Sequence, residues 1–357
     1  MPKPNCAEED RFTPDRSKFV FDESTLDLEF READKTQGER EIEREMFARQ
    51  QIFGTPVQER LGQLKVALIG CGGIGAVFAE QLSRLGAKHW CLVDPDRLEA
   101  TNLNRMPGAT QQMADRSWFK VHYVKWLIKK AYSTGSQIIT LPHSVEDESI
   151  EPEIAAADLI VVATDNHKSR QVAQELATKY VRPLLSLGTQ IEVKEGKPHL
   201  YARVTVPPLG GGWCLMCANI ISLQQAALET APSEITDLAQ KVGYLPDIDN
   251  PAVYWLNSLC ASSGVGVVHG MLSGFLDLDK GLDWIYDFSH SLWLKTDTER
   301  LLNRDCYFCT HHLSIDNNTV GRSNSRSAPV PDPDSLAPAR PQLTFDLPNR
   351  AEVRIHN

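Results

Sequence analysis

Lys65–Arg105 reads KVALIGCGGIGAVFAEQLSRLGAKHWCLVDPDRLEATNLNR. An apolar strand, Val66–Ile69, runs into the glycine-rich turn Gly70-Cys71-Gly72-Gly73-Ile74-Gly75, and a helix-length segment follows. A second apolar strand, His89–Val93, then ends in Asp94. A turn of this kind brings backbone N–H groups close to phosphate, and the helix behind it offers its positive N-terminal end to the anion. The acidic residue closing the second strand is placed to hydrogen-bond a ribose hydroxyl. Gly70, Gly72, Gly73, Gly75 and Asp94 are therefore the expected nucleotide-binding residues. A tight strand–helix turn with no ligand would use the same glycines, but the strand before and the helix after favour a nucleotide.

The residues downstream decide what the nucleotide is for. Asn102 and Arg105 follow in TNLNR, and Lys120 stands near the start of the next predicted helix, Trp118–Ala131. Fixed cations there suit phosphoryl or nucleotidyl transfer. Alone, Lys120 would read as a solvated helix lysine. Asp165 ends the apolar strand Leu159–Ala163 in LIVVATDNHKSR, and ligands of open α/β sheets bind beyond the C-terminal ends of such strands. A carboxylate facing a triphosphate is a natural Mg²⁺ ligand. Asp165 is equally a candidate helix N-cap, with Asn166 able to cap in its place.

A second constellation lies further along. Cys214-Leu-Met-Cys217 and Cys306-Tyr-Phe-Cys309 use half of the eight cysteines. Two CxxC pairs can close a tetrahedral Cys₄ zinc site, with no open position and so a structural role. Neither pair follows a thioredoxin-like strand, which speaks against a redox pair.

Strands at Gln137–Leu141 and Leu184–Leu187 and a helix at His167–Lys179 continue the alternation, giving a mostly parallel sheet covered on both faces. After Leu187 the pattern changes. A strand is expected at Tyr201–Val206, helices at Ala218–Glu229 and Pro232–Lys241, a long apolar segment at Val253–Leu278, and a strand pair at Trp284–Ser289 and Leu292–Lys295. Glu41–Leu64 reads as two short helices around a Gly-Pro break. Residues 1–40 are charged and read as disordered or loosely docked. Residues 313–357 read as a Ser/Pro-rich linker and tail whose end regains some apolar pattern. The net charge of −10 argues against a broad nucleic-acid surface. No apolar run reaches the roughly 18–20 residues that span a bilayer, and the first residues lack a secretion signal. A cytoplasmic protein is expected.

Taken in order, GCGGIG, LVDPDRLEATNLNR, Lys120, ATDN and the two CxxC pairs resemble the superfamily of sulfur-carrier adenylyltransferases of molybdopterin and thiamine synthesis and of ubiquitin-activating enzymes. Ala48-Arg49-Gln50 resembles the family's arginine–glutamine pair. The resemblance runs from about Arg49 to Cys309. It implies a doubly wound, Rossmann-like α/β sheet extended by a helical and antiparallel zinc-clipped region. It also implies an adenylation domain over 41–312, with a nucleotide-binding half (41–190) and a carrier-binding half (191–312).

The implied reaction is ATP-dependent adenylation of the C-terminal glycine carboxylate of a ubiquitin-like or sulfur-carrier protein, with release of pyrophosphate. Arg105, Lys120, Mg²⁺ on Asp165, and Arg49 would screen the anions. Asn102 would position phosphate, and Asp94 would hold the ribose. The family's matching arginine enters the partner subunit's site, so a homodimer is implied. The chain departs from the family at Met106, where glutamine is frequent. It also has no cysteine in Ser186–Trp213, where some relatives carry a thioester. Adenylation without a thioester in that segment is therefore expected. The extra terminal segments favour a ubiquitin-like conjugation pathway, with a conjugating enzyme as a further partner, over cofactor biosynthesis. An NAD-dependent oxidoreductase is the competing class: it explains the glycines and Asp94 and leaves Arg105, Lys120, Asp165 and the cysteines without a role.

Overall fold

The computed structural model describes residues 43–131, 135–194, 196–209, 211–231, 251–303 and 306–312. The expected N-terminal extension, the helix at Pro232–Lys241 and the C-terminal linker and tail lie outside the described residues.

Eight strands form one sheet: β1 Lys65–Ile69, β2 His89–Val93, β3 Gln137–Leu141, β4 Leu159–Val162, β5 Leu184–Lys194, β6 Lys197–Val206, β7 Leu282–Asp287 and β8 Leu292–Lys295, in the order β3-β2-β1-β4-β5-β6-β7-β8. The first five in that order pair in parallel and the last three continue antiparallel. The main helices are α1 Thr55–Gln63, α2 Gly73–Arg84, α3 Lys120–Ala131, α4 His167–Lys179, α5 Leu223–Glu229 and α6 Tyr254–Ser273.

Successive side chains of a strand point to opposite faces. Val66 and Leu68 of β1, Leu92 of β2 and Val161 of β4 enter one apolar layer, shared with α2, α3 and α6. Their neighbours Ala67, Ile69, Val93, Ile160 and Val162 enter the other, shared with α4 and with Trp213–Ile221. Burial on both faces is why these strands read as unbroken apolar runs rather than alternating ones. The apolar segment Val253–Leu278 resolves into α6, which packs on α2, β5 and β6. Among the described residues no helix is long and apolar enough to cross a membrane.

The structure differs from the sequence-based expectation in two places. Strands expected at Leu184–Leu187 and Tyr201–Val206 are the inner ends of a long antiparallel hairpin, with register Ser186↔Thr205 through Lys194↔Lys197. The outer arms carry Glu192, Lys194 and Lys197 and lose the two-sided cover that marked the parallel strands, so no apolar run announced them. This hairpin carries the sheet across residues 190 and 191. The helix expected from Ala218 begins only at Leu223, capped by the Ser222 hydroxyl, which accepts the Gln225 N–H at 3.3 Å. Residues before it turn back on themselves, with Asn219 at φ +55°, to aim the first cysteine pair.

Candidate active site

The chain leaves β1 towards β2 and β3 on one side, then returns to place β4 on the other side of β1. The crevice beyond the ends of β1 and β4 is the switch point at which open α/β sheets bind ligands. Gly70 sits there at φ +96°, where a side chain would meet the Ala163 carbonyl carbon and oxygen at 2.8 Å. A Cβ on Gly75 would fall onto the Gly70 carbonyl oxygen, so both glycines are demanded by the turn itself. Gly72 is different. It has an ordinary φ of −79°, and apart from its two chain neighbours no described residue comes within 4 Å of where its Cβ would stand. It is the N-cap of α2, so this open flank adjoins the helix's first amides, which have no intrahelical partners.

Asp94 reaches back to the loop. Its Oδ2 accepts the Cys71 N–H at 2.7 Å and its Oδ1 accepts the Asp96 N–H at 2.9 Å. The residue is 7% exposed. Burial raises its pKa, against the pull of Lys120 and the two N–H groups. Each carboxylate oxygen has further lone-pair capacity for a hydroxyl. The Asn102 carbonyl oxygen accepts the Glu99 N–H at 3.1 Å in a capping box, so what Asn102 can offer a phosphate is its amide N–H₂.

Arg105 packs against the glycine loop: its carbonyl oxygen and Cγ lie 3.1 and 3.3 Å from the position of a Cβ on Gly73, and Asn257 Nδ2 lies 2.6 Å from it. The Arg105 guanidinium donates to Thr101 O at 2.6 Å and Asn104 Oδ1 at 3.2 Å, both neutral acceptors. Lys120 Nζ lies 2.7 Å from Asp96 Oδ2. Burial alone would lower the pKa of this ammonium, but the carboxylates of Asp94, Asp96 and Asp165 hold it above its ordinary value. Asn166, not Asp165, is the N-cap of α4, with its Oδ1 accepting the Ser169 N–H at 2.8 Å. Asp165 thus stands one residue outside the cap, within electrostatic reach of Lys120.

The structure therefore brings Asp94 onto the loop Gly70–Gly75, Arg105 against Gly73, and Lys120 within the field of Asp94 and Asp165, while Asn102 is tied locally to Glu99 and to the Arg105 N–H. Arg49 is not among them. Its neighbour Gln50 donates to Leu85 O at 2.9 Å, at the far end of α2 from Gly72. Twelve residues of helix at about 1.5 Å each put some 18 Å between those ends.

The four cysteines converge in a separate cluster, packed with Phe308 and Met216. All four Sγ atoms lie within 4.8 Å of one another, with Cys214–Cys217 at 3.8 Å, Cys214–Cys306 at 3.8 Å and Cys217–Cys309 at 3.7 Å. A disulfide needs about 2.05 Å. A tetrahedron with Zn–S bonds of about 2.3 Å has edges of about 3.8 Å. The set fits a structural zinc ion. For Mg²⁺ the donor chemistry also fits: the Asp165 carboxylate is a hard oxygen ligand of the kind that shares this ion with substrate phosphates.

Four residues of this region escape the sequence reading. Asp96 anchors Lys120. Asn257 of α6 backs the loop and takes the Thr189 hydroxyl at 3.0 Å. Arg170 is buried below Asp165, with Nε and Nη2 on Thr164 O at 3.1 and 2.7 Å. Glu229 caps α4 from outside. Only Asp96 and Arg170 leave a trace, as the second acid of VDPD and the arginine of ATDNHKSR.

The ThiF family model matches residues 45–236, more than half of the chain. The chain belongs to the ThiF family. Its relatives include the sulfur carrier protein ThiS adenylyltransferase of Bacillus subtilis (strain 168), 29% identical over 201 residues that cover 54% of this chain and 59% of that protein. The ubiquitin-like modifier-activating enzyme 5 of Oryza sativa subsp. japonica is 24% identical over 169 residues, covering 45% of this chain and 39% of that protein. The ThiF-family chain thus spans less than two thirds of the length of these relatives. Among solved structures, E. coli MccB with ATP superposes with a TM-score of 0.56 at 18% identity, covering 78% of this chain and 75% of that one, a likeness of fold.

Proposed function

We propose that this ThiF-family protein uses ATP to adenylate the C-terminal glycine carboxylate of a ubiquitin-like or sulfur-carrier protein. What supports the reading is the set of contacts around the glycine loop: Arg105 lies against Gly73, Asp94 holds the Cys71 N–H, and the charges of Asp94, Asp96 and Asp165 act on Lys120. A carboxylate oxygen of the carrier attacks the α-phosphorus, the bond from that phosphorus to the bridging oxygen breaks, and pyrophosphate leaves with the electron pair. The nucleophile is ionised at neutral pH and needs no general base. The obstacle is the approach of two anions, which donors fixed in place beforehand relieve without reorganising. In this reading the α2 amides and Asn102 seat phosphate, and Asp94 takes the ribose. Arg105 and Lys120 face the charge that builds on the phosphates. Mg²⁺, held by Asp165, would supply further neutralisation between the phosphate oxygens. Arg49, too distant within its own chain, acts in the crevice of a second copy in a homodimer. Residues 41–312 are the adenylation unit, with the zinc-bound cysteines holding its carrier-facing half.

No described cysteine outside the cluster suits an acyl thioester. Cys260 is 1% exposed, and burial pushes its thiol up to about 12. Burial likewise pushes Cys91 up to about 12 and raises Cys71 well above 9.0. The adenylate is then resolved off this chain, either by a conjugating cysteine in a ubiquitin-like pathway or by a sulfur donor. The relative named for ThiS supports the second use.

Carrier-dependent exchange of labelled pyrophosphate into ATP tests the reading. Exchange is expected with a candidate carrier and lost when its terminal glycine is removed; no exchange with a carrier that binds the protein would overturn it. Adding sulfide or a conjugating enzyme to the adenylate separates the two downstream uses.

A further inference from the structure

The turn that carries Asp165 is held from a direction that the reaction itself does not explain. The first amides of α4 have no partners within the helix. Asn166 takes one, the Ser169 N–H. The two before it are taken by a single carboxylate from far along the chain: Glu229 Oε1 accepts the His167 N–H at 2.9 Å, and Oε2 accepts the Lys168 N–H at 2.8 Å. Glu229 is the last residue of α5. The segment leading to it is fastened to α4 twice more, by the Leu215 N–H on Gln174 Oε1 at 2.7 Å and by the Ser222 N–H on His167 Nδ1 at 3.2 Å. Its upstream end is the turn of the first cysteine pair. Beneath the same turn, Arg170 grips Thr164 O, and the charges of Asp165 and Glu229 both act on its buried guanidinium.

From this arrangement we infer that Glu229 is a positioning residue for Asp165. A helix N-terminus attracts the nearest carboxylate. Asp165, one residue before the cap, is an anion that those two amides would otherwise draw back onto its own helix. With Glu229 seated on them, the Asp165 carboxylate is kept for the crevice and the divalent cation that accompanies ATP. The segment Cys214–Glu229 is therefore a brace, clamped at one end by the cysteine cluster and at the other by Glu229 on α4. The inference rests on the reading of Asp165 as the metal ligand.

The test uses the full-length protein and the variants Glu229→Ala and Glu229→Gln. Removing a charged acceptor from both amides should speed hydrogen exchange at His167 and Lys168 about tenfold and leave the Ser169 amide unchanged. In pyrophosphate exchange at saturating ATP, the Mg²⁺ concentration for half activity should rise about tenfold in Glu229→Ala. In Glu229→Gln, which keeps one acceptor oxygen, it should rise less, while kcat at saturating Mg²⁺ stays within about twofold of wild type. A variant that melts earlier yet keeps the wild-type Mg²⁺ dependence would show a structural role only and overturn the inference. Unchanged amide exchange would overturn it as well. If the wild-type protein itself shows neither exchange activity nor a melting shift with Mg·ATP, the proposed function falls too. A wild-type signal with an unaltered Glu229→Ala defeats the brace alone.

Discussion

Gly72→Ala separates what the fold needs from what the ligand needs. At φ −79° and ψ −158° the backbone suits alanine, and the new methyl would meet no described residue within 4 Å other than its chain neighbours. A glycine replaced where alanine fits gains about 0.4–1 kcal/mol through the unfolded chain. The melting temperature without nucleotide should therefore hold or rise by roughly 1–3 °C. The methyl nevertheless enters the flank where phosphate is to approach the α2 amides. Suppose it weakens ATP binding about 100-fold. At an ATP concentration of 100 times the wild-type Kd, ligand stabilisation is about 2.7 kcal/mol for wild type and about 0.4 kcal/mol for the variant. Differential scanning fluorimetry with and without Mg·ATP reads both numbers in one experiment. Gly75→Ala is the contrast: its methyl collides with the Gly70 carbonyl, and the overpacked turn should lose about 1–3 kcal/mol before any ligand is added. A Gly72→Ala protein that melts several degrees early would refute the geometry of the turn. One that keeps the full ATP-induced shift would refute the placement of the phosphates.

Four further outcomes are expected. Lys120 has its folded-state pKa raised above the ordinary 10.5, so its stabilising charge is fully present below pH 10.5 and is lost only as pH rises through the folded value. Pyrophosphate exchange should accordingly show no loss from this group between pH 7 and pH 10, and an alkaline limb near pH 8.5 that vanishes in Lys120→Arg would contradict it. Metal analysis should find one zinc per chain, with Cys306→Ser losing it and more than about 3 kcal/mol of stability; undiminished zinc in that variant would exclude the four-cysteine site. Cys260 should resist alkylation in the native protein, and Cys260→Ala should keep exchange within about twofold, whereas an acyl group trapped on Cys260 would reverse the assignment. Arg49→Ala and Asp165→Ala should each be inactive alone yet recover roughly a quarter of wild-type activity when dissociated and mixed, since half the dimers then hold one complete site; no recovery would place Arg49 outside its partner's crevice.

The inner parallel strands β1, β2 and β4 were legible because burial on both faces leaves them with no polar alternation, and the turn beyond β1 because Gly70 and Gly75 have no substitute. The cysteine cluster was legible from spacing, because three-residue steps set two sulfurs on one turn. The hairpin was not: Thr189–Lys194 is half exposed, and its pairing with Lys197–Ala202 is set by backbone register rather than by side-chain pattern. Glu229 and Asn257 were beyond reach for another reason. Each acts on an element more than sixty residues away, and nothing local to EITDLAQ's preceding helix or to YWLNSLC marks a contact partner. Asp96 was the nearest miss, since its role follows only once Lys120 is seen to fold back over the VDPD turn.

That fold-back alters the electrostatic picture of the crevice. Residue types alone predict a pool of positive charge waiting for two anions. The structure instead interleaves acids with the cations: Asp94, Asp96 and Asp165 all act on Lys120, while Arg105 rests on neutral oxygens. A buried cation without partners would be expensive, and pairing it in advance removes most of that cost. In the proposed reaction phosphate would enter by exchanging one set of partners for another, Lys120 passing from the Asp96 carboxylate to an incoming oxygen. Asp96 has 62% of its side chain in solvent, so water can receive its carboxylate when the ammonium leaves. In the proposed reaction Asp96 is the resting partner of Lys120, and Arg105, which rests on neutral oxygens, is the cation whose charge is held for the phosphates.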